Sequence, residues 1–316
     1  MKKSIEQTSL RGLDPFTGYG YFSKEDITLY GTEAYIDGLI YMKGNNIELK
    51  KVAIIGGSTS DLNYNGSWLR PLQKNLDEYG LEIVTASVSG YSTTQELLRL
   101  IRDLVGLKPV LVISLNGVND LGFMQSVSCK YPRIHSYQAR LFQYLNFKKS
   151  DIKNKPAVMF NSFTKKAGIT MPSMNDSKSV SGLNYGAKSN KSDYEIWEEN
   201  IKMKYAICST FDIDYLSVLQ PIMGFGTYEM ESEEKEFLDE YNVSRSPVNR
   251  VSYIDAVNTF YNNAKEISKK YDYILDATEI FSLERFCYLD PRHPNDKGNK
   301  IIADFIFKNI ETVFPK

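Results

Sequence analysis

Val52-Ala53-Ile54-Ile55-Gly56-Gly57-Ser58-Thr59-Ser60 is a short apolar run that stops in two glycines and three hydroxyl residues. A run of this length, apolar on both faces, reads as a buried strand of a parallel sheet whose end opens onto a turn. Glycines at 56 and 57 let the backbone bend sharply and let another group come close. Ser58 is then presented at a strand's carboxyl end, where open α/β sheets bind their ligands. By itself a small-residue turn after a strand is ordinary structure, so the chemistry of Ser58 depends on partners elsewhere in the chain.

The same unit recurs downstream. Trp68, Leu69, Leu72 and Leu76 stand at helical spacing with Gly80 as a stop signal, and residues 81–86 form a second strand that runs into Ser87-Val88-Ser89-Gly90-Tyr91-Ser92. Thr93 or Thr94 is placed to cap the next helix, whose expected apolar stripe is Leu97, Leu98, Ile101, Leu104 and Val105, closed by Gly106. Residues 110–115 are a third strand leading into Asn116-Gly117-Val118-Asn119-Asp120. Strand–helix repeats this short predict an α/β fold with a parallel sheet and crossover helices. All three strands end in small or polar residues, so their tips can converge on one crevice.

The pattern fails from about 121 to 193, where nine lysines against Asp151 and Asp176 lie between Lys148 and Lys191 among Ser, Asn and Gly. That composition predicts a solvated insertion, with a basic cover for an anionic substrate as the sharper reading. Regularity returns with a helix near 194–210, a fourth strand at 213–219, a helix through about 250–270 and a last strand at 273–277. Between Glu229 and Glu240 seven acids and one lysine suggest a solvated helix face. Asp290-Pro291-Arg292-His293 forms a loop ahead of a terminal helix with Ile301, Ile302, Phe305, Ile306 and Ile310 on its apolar side. Residues 1–50 hold short aromatic and β-branched pieces broken by turns, which suggests hairpins or an arm. The expected organisation is an arm at 1–50 packed on a domain at 51–316, with the insertion at about 121–193.

Composition bounds the partners. The chain has 316 residues, 42% hydrophobic and 24% charged, with a net charge of −1, so there is no bulk attraction to nucleic acid or an acidic membrane. Cys129, Cys208 and Cys287 include no C-x-x-C pair, which points to reduced structural thiols rather than a zinc site. The amino terminus lacks an apolar signal region and no stretch reaches the length of a membrane span, so a cytoplasmic protein is expected.

A serine hydroxyl is a weak nucleophile near neutral pH; it needs a base within hydrogen-bond reach, and the base needs a third group to fix its tautomer. His293 and Asp290 can fill those roles. His135, the other histidine, lies in the irregular insertion without a nearby carboxylate and reads as a surface or packing residue. Acyl transfer also needs donors aimed at the oxyanion. The strand ends offer the backbone N–H groups of Ser58 and Gly90 and the side-chain amide of Asn119, the last of which would otherwise read as a turn or cap residue.

In order along the chain, Gly56-Gly57-Ser58-Thr59-Ser60, Gly90 within Val88-Ser89-Gly90-Tyr91-Ser92, Gly117-Val118-Asn119-Asp120 and Asp290-Pro291-Arg292-His293 resemble the four blocks of the SGNH hydrolases, also called GDSL-type esterases and acylhydrolases. The resemblance covers about 51–120 and 194–312. It implies Ser58 as nucleophile and oxyanion donor, Gly90 and Asn119 as further donors, His293 as base and Asp290 as its orienter. It also implies a three-layer α/β/α sandwich with a five-stranded parallel sheet of flavodoxin-like order, no cofactor and no metal. Two positions depart from the family pattern: Gly57 stands where aspartate is usual, as in a Gly-Gly-Ser-Thr branch, and Thr85 and Ser87 replace Asn and Gly ahead of Gly90. Neither the G-x-S-x-G elbow of α/β-hydrolases, a dinucleotide fingerprint nor a P-loop is present. The expected activity is hydrolysis of a short acyl ester, such as acetyl, on a small molecule or glycan. Acyl transfer by the same residues and an inactive glycan-binding or scaffold protein are the competing readings.

Overall fold

The structure is a computed structural model that describes residues 33–62, 67–121, 191–245 and 252–311, with residues 11, 12, 14, 17, 20, 21, 27, 28 and 314. Cys129, His135 and the lysine-rich stretch up to residue 190 lie outside the described residues. Strands β1 (Arg11–Gly12) and β2 (Gly20–Tyr21) pair with each other. The main sheet comprises β3 (Ile27–Thr28), β4 (Ala34–Ile36), β5 (Leu39–Tyr41), β6 (Lys50–Gly56), β7 (Leu81–Thr85), β8 (Leu111–Asn116), β9 (Asp214–Leu219) and β10 (Ile274–Asp276) in the order β10-β9-β8-β6-β7-β5-β4-β3. A small pair, β11 (Tyr288–Asp290) and β12 (His293–Pro294), follows.

The five strands β7-β6-β8-β9-β10 are parallel, and in chain order they read 2-1-3-4-5, the flavodoxin-like arrangement. The sheet goes further than the five strands expected. The β4–β5 hairpin pairs antiparallel with β7 through β5, so residues 34–41 continue the sheet edge.

Both faces of the sheet are covered because its strands alternate two apolar sets. Val52 and Ile54 pack with helices α1 (Leu69–Leu76) and α6 (Asp296–Ile310). Ala53 and Ile55 pack in the other core with Leu100 and Leu104, which follow α2 (Thr93–Arg99), and with α3 (Asp193–Thr210), α4 (Ser232–Arg245) and α5 (Tyr253–Ser268). This is a three-layer α/β/α sandwich. After β6 the chain crosses one face to β7 and then the other face to β8, so a crevice opens at the carboxyl ends of β6 and β8.

Helix α2 differs from its sequence reading. Its cap is Ser92, not Thr93 or Thr94, in a capping box with Gln95. A π-turn at Leu100–Leu104 then shifts the register by one residue. Leu97, Leu100 and Leu104, at i, i+3 and i+7, form the buried face, while Ile101 is 55% exposed. In the acidic segment, Glu234 is buried and accepts from Tyr228 Oη at 2.7 Å, so that stretch is not wholly solvated. Among the described residues no helix is long and apolar enough to cross a membrane. Cys208 and Cys287 are free and buried.

Candidate active site

Ser58 opens a single 3₁₀ turn, Ser58–Ser60, directly after β6. The turn needs small neighbours. A Cβ on Gly56 would come within 2.7 Å of Ser60 Oγ and 2.9 Å of the Leu115 carbonyl. On Gly57 it would lie 2.3 Å from Asn119 Nδ2. Glycine at 57 therefore leaves the space that the Asn119 amide occupies beside Ser58.

Asp290 and His293 are brought face to face by β11 and β12, which pair Asp290 with His293 across the Pro291-Arg292 turn. That turn explains how a separation of three residues suffices. Asp290 Oδ1 accepts the N–H groups of Arg292 at 2.8 Å and His293 at 3.0 Å, while Oδ2 lies 2.6 Å from His293 Nδ1. The other ring nitrogen, Nε2, lies 2.6 Å from Ser58 Oγ. Burial by itself would raise the Asp290 carboxyl, but the hydrogen bond and charge of His293, with the two backbone N–H groups, outweigh it and hold Asp290 below the usual carboxylate range.

The loop is anchored from several sides. Gln220 Nε2 donates to the Arg292 carbonyl at 3.2 Å and Met223 N–H to the Pro291 carbonyl at 3.1 Å. The Arg292 guanidinium lies 5.7 Å from the ring centroids of both Tyr241 and Tyr253. Behind it, Asn295 caps α6 by accepting the Gly298 N–H at 3.0 Å. A Cβ at 298 would meet the Cys287 carbonyl at 2.4 Å, which makes glycine necessary at that contact.

Gly90 and Asn119 stand just past the ends of β7 and β8. Gly90 sits at φ +86°, a conformation suited to glycine, in a turn closed by Tyr91 N–H to the Val88 carbonyl at 3.0 Å. Asn119 is buried, and its Nδ2 donates to the Tyr91 carbonyl at 2.9 Å. An amide nitrogen carries two hydrogens, and this bond uses one of them. Thr85 and Ser87, the departures in the second block, bond to each other through their hydroxyls at 2.9 Å.

Ser58, His293 and Asp290 thus form one continuous hydrogen-bonded line, with Asn119 packed against Gly57. His135 lies outside the described residues. Asp61 escaped the sequence reading; buried, it accepts both the N–H and the hydroxyl of Ser89, at 2.8 and 2.7 Å. So did the buried pair Glu96–Lys204 beneath β8, where Lys204 Nζ also donates to Ser114 Oγ at 2.7 Å. Nothing local distinguishes such residues from surface charges.

No protein-family model and no curated protein matches the chain. Similar solved structures include the lipase/acylhydrolase from Enterococcus faecalis, at 12% identity and a TM-score of 0.47, covering 84% of this chain and 98% of that one. An acetyl xylan esterase has 14% identity and a TM-score of 0.45, covering 82% and 99%. A GDSL-like lipase from Bacteroides thetaiotaomicron has 14% identity and a TM-score of 0.44, covering 84% and 89%.

Proposed function

We propose that this chain is a serine esterase that hydrolyses short acyl esters through an acyl-enzyme intermediate. The observation that carries the reading is the unbroken line from Ser58 Oγ to His293 Nε2 and from His293 Nδ1 to Asp290 Oδ2, each step 2.6 Å. With the Nδ1 proton donated to Asp290, Nε2 is left to accept the serine proton as Ser58 Oγ attacks the ester carbonyl. The ester C–O bond then breaks, and the imidazolium returns its proton to the departing alcohol. Water, deprotonated by the same nitrogen, attacks the acyl-enzyme and releases the acid and Ser58. The N–H groups of Ser58 and Gly90 and the Asn119 amide take the developing negative charge; one such donor is worth about 10²–10³ in turnover.

The acyl and alcohol halves rest on the sequence resemblance to the Gly-Gly-Ser-Thr branch, from which we take an acetyl group on a carbohydrate or polar metabolite. A fluorophosphonate probe tests the nucleophile. Labelling of the wild type that disappears in Ser58→Ala supports the reading, and equal labelling of both proteins removes Ser58 from the mechanism. Acetyl, butyryl and octanoyl esters, followed by acetylated sugars, test the substrate half. Acetylated glycan formed without matching free acetate would instead make the protein an acyltransferase.

A further inference from the structure

We infer that Asp61 and Asp120 are positioning residues that pin the two ends of the 89–93 loop and so fix the oxyanion donors relative to Ser58. The inference rests on the esterase reading above and assigns roles to two carboxylates that reach none of the reacting atoms.

Electrostatic stabilisation of an oxyanion works only if the donors are held in place beforehand. Gly90 has no side chain with which to anchor itself, and its φ of +86° is a conformation the flanking residues must maintain. On one side, Ser89 N–H and Oγ both donate to Asp61 Oδ2, at 2.8 and 2.7 Å. Asp61 in turn donates its own N–H to the Ser58 carbonyl at 3.3 Å, which closes the nucleophile's turn. One buried residue therefore ties the turn of Ser58 to the turn of Gly90.

At the far end, Thr93 N–H and Oγ1 both donate to Asp120 Oδ1, at 3.1 and 2.6 Å. The neighbouring Asn119 donates to the Tyr91 carbonyl inside the same loop. Asn200 of α3 completes that end by donating to Thr93 Oγ1 at 2.9 Å. Residues 119 and 120 thus grip the loop at two points, and the orientation of the Asn119 amide follows from where the loop is held.

In both clamps a single carboxylate oxygen receives both of the shorter hydrogen bonds. An asparagine carbonyl can do the same, whereas alanine cannot. The test compares Asp61→Ala, Asp61→Asn, Asp120→Ala and Asp120→Asn on p-nitrophenyl acetate, with rates normalised to the sites titrated by a fluorophosphonate. The expected result is a fall of about 10- to 100-fold in kcat for each alanine variant, with KM within about threefold. Each asparagine variant should stay within about threefold of wild type in both. Ser89→Ala and Thr93→Val each delete one hydroxyl donor and guard against misfolding of the alanine variants; a fall of about three- to tenfold in kcat is expected for each. Rates per titrated site that are unchanged in the variants, with only Tm or the titrated fraction reduced, would make the two aspartates ordinary structural residues. So would equal losses in the alanine and asparagine pairs. A wild type that neither labels nor turns over would overturn the esterase reading and this inference with it.

Discussion

Ser58 Oγ lies 2.6 Å from His293 Nε2, although 235 residues separate the two in the chain. Neither approaches the other through local structure. Ser58 is carried by the end of β6, and His293 by a two-residue turn that α6 and the Gln220–Met223 segment hold from behind. The contact belongs to the packing of the whole sheet, and the consequences of disturbing it are therefore specific.

Asp290→Asn should slow turnover by as much as about 10⁴, because an amide facing Nδ1 no longer selects the tautomer that leaves Nε2 free to accept a proton. A loss below about tenfold in kcat would show that another group orients His293. The same variant has a stability signature. The carboxyl of Asp290 is held below its unfolded value, so its contribution is present above about pH 4 and is lost as pH falls through the folded value. The difference in Tm between wild type and Asp290→Asn should narrow on acidification below about pH 4.

Gly57→Ala should act by crowding the Asn119 amide. An alanine Cβ there would lie 2.3 Å from Asn119 Nδ2 and 3.2 Å from the Tyr91 carbonyl. Displacing the Asn119 amide should cost roughly 10- to 100-fold in kcat with a small change in KM. Steady-state kinetics on an acetyl ester checks this, and an unchanged kcat would mean that the amide can move aside without loss.

The legible part of the molecule is the part encoded in short-range pattern. Apolar runs of β6, β7 and β8 ending in Gly56-Gly57, Ser89-Gly90 and Gly117 predict parallel strands with open tips, and the tips bring their polar residues to one edge. Ser58, Asp290, His293 and Asn119 stand out because each follows a strand or precedes a helix in a recognisable block. In helix α2 periodicity leaves the buried face open, because Leu100 at i+3 and Ile101 at i+4 from Leu97 fit a helical stripe equally, and packing on the sheet buries Leu100. Asp61 and Lys204 look like surface charges until the fold supplies Ser89, 28 positions away, and Glu96, 108 positions away. Their significance is tertiary, so no local signal carries it.

Lys204 and Glu96, both fully enclosed, predict a stability experiment independent of catalysis. Their charges are surrounded by Ser114, Asn116 and Ser217, with Trp197 Nε1 donating to Asn116 Oδ1 at 2.6 Å. Lys204→Met alone leaves the Glu96 charge buried without its cation and should cost about 3–5 kcal/mol in urea unfolding. Glu96→Leu with Lys204→Met removes both charges and should recover most of that loss. A double variant no more stable than the single one would mean that the surrounding hydroxyls and amides, not the ion pair, dominate.

Asp120 predicts an opposite pH dependence from Asp290. Burial and the nearby Glu96 charge push its carboxyl up to about 7, more than the hydrogen bonds from Thr93 and the charge of Lys204 pull it down. The phenol of Tyr261 also feels this carboxylate. Between about pH 4 and pH 7 the folded protein thus keeps a proton that the unfolded chain has lost, and the stability from this group declines as pH rises through that window. Above pH 7 it changes no further. Asp120→Asn carries no titrating proton, so its stability relative to wild type should increase from pH 5 to pH 8, by on the order of 2 kcal/mol, since part of the residue still meets solvent. Because the asparagine oxygen can still accept from Thr93, turnover at pH 8 should change little while stability rises. Urea unfolding of both proteins at the two pH values reads the difference directly. A gap that stays constant would mean that Asp120 is already ionised in the folded protein at pH 5.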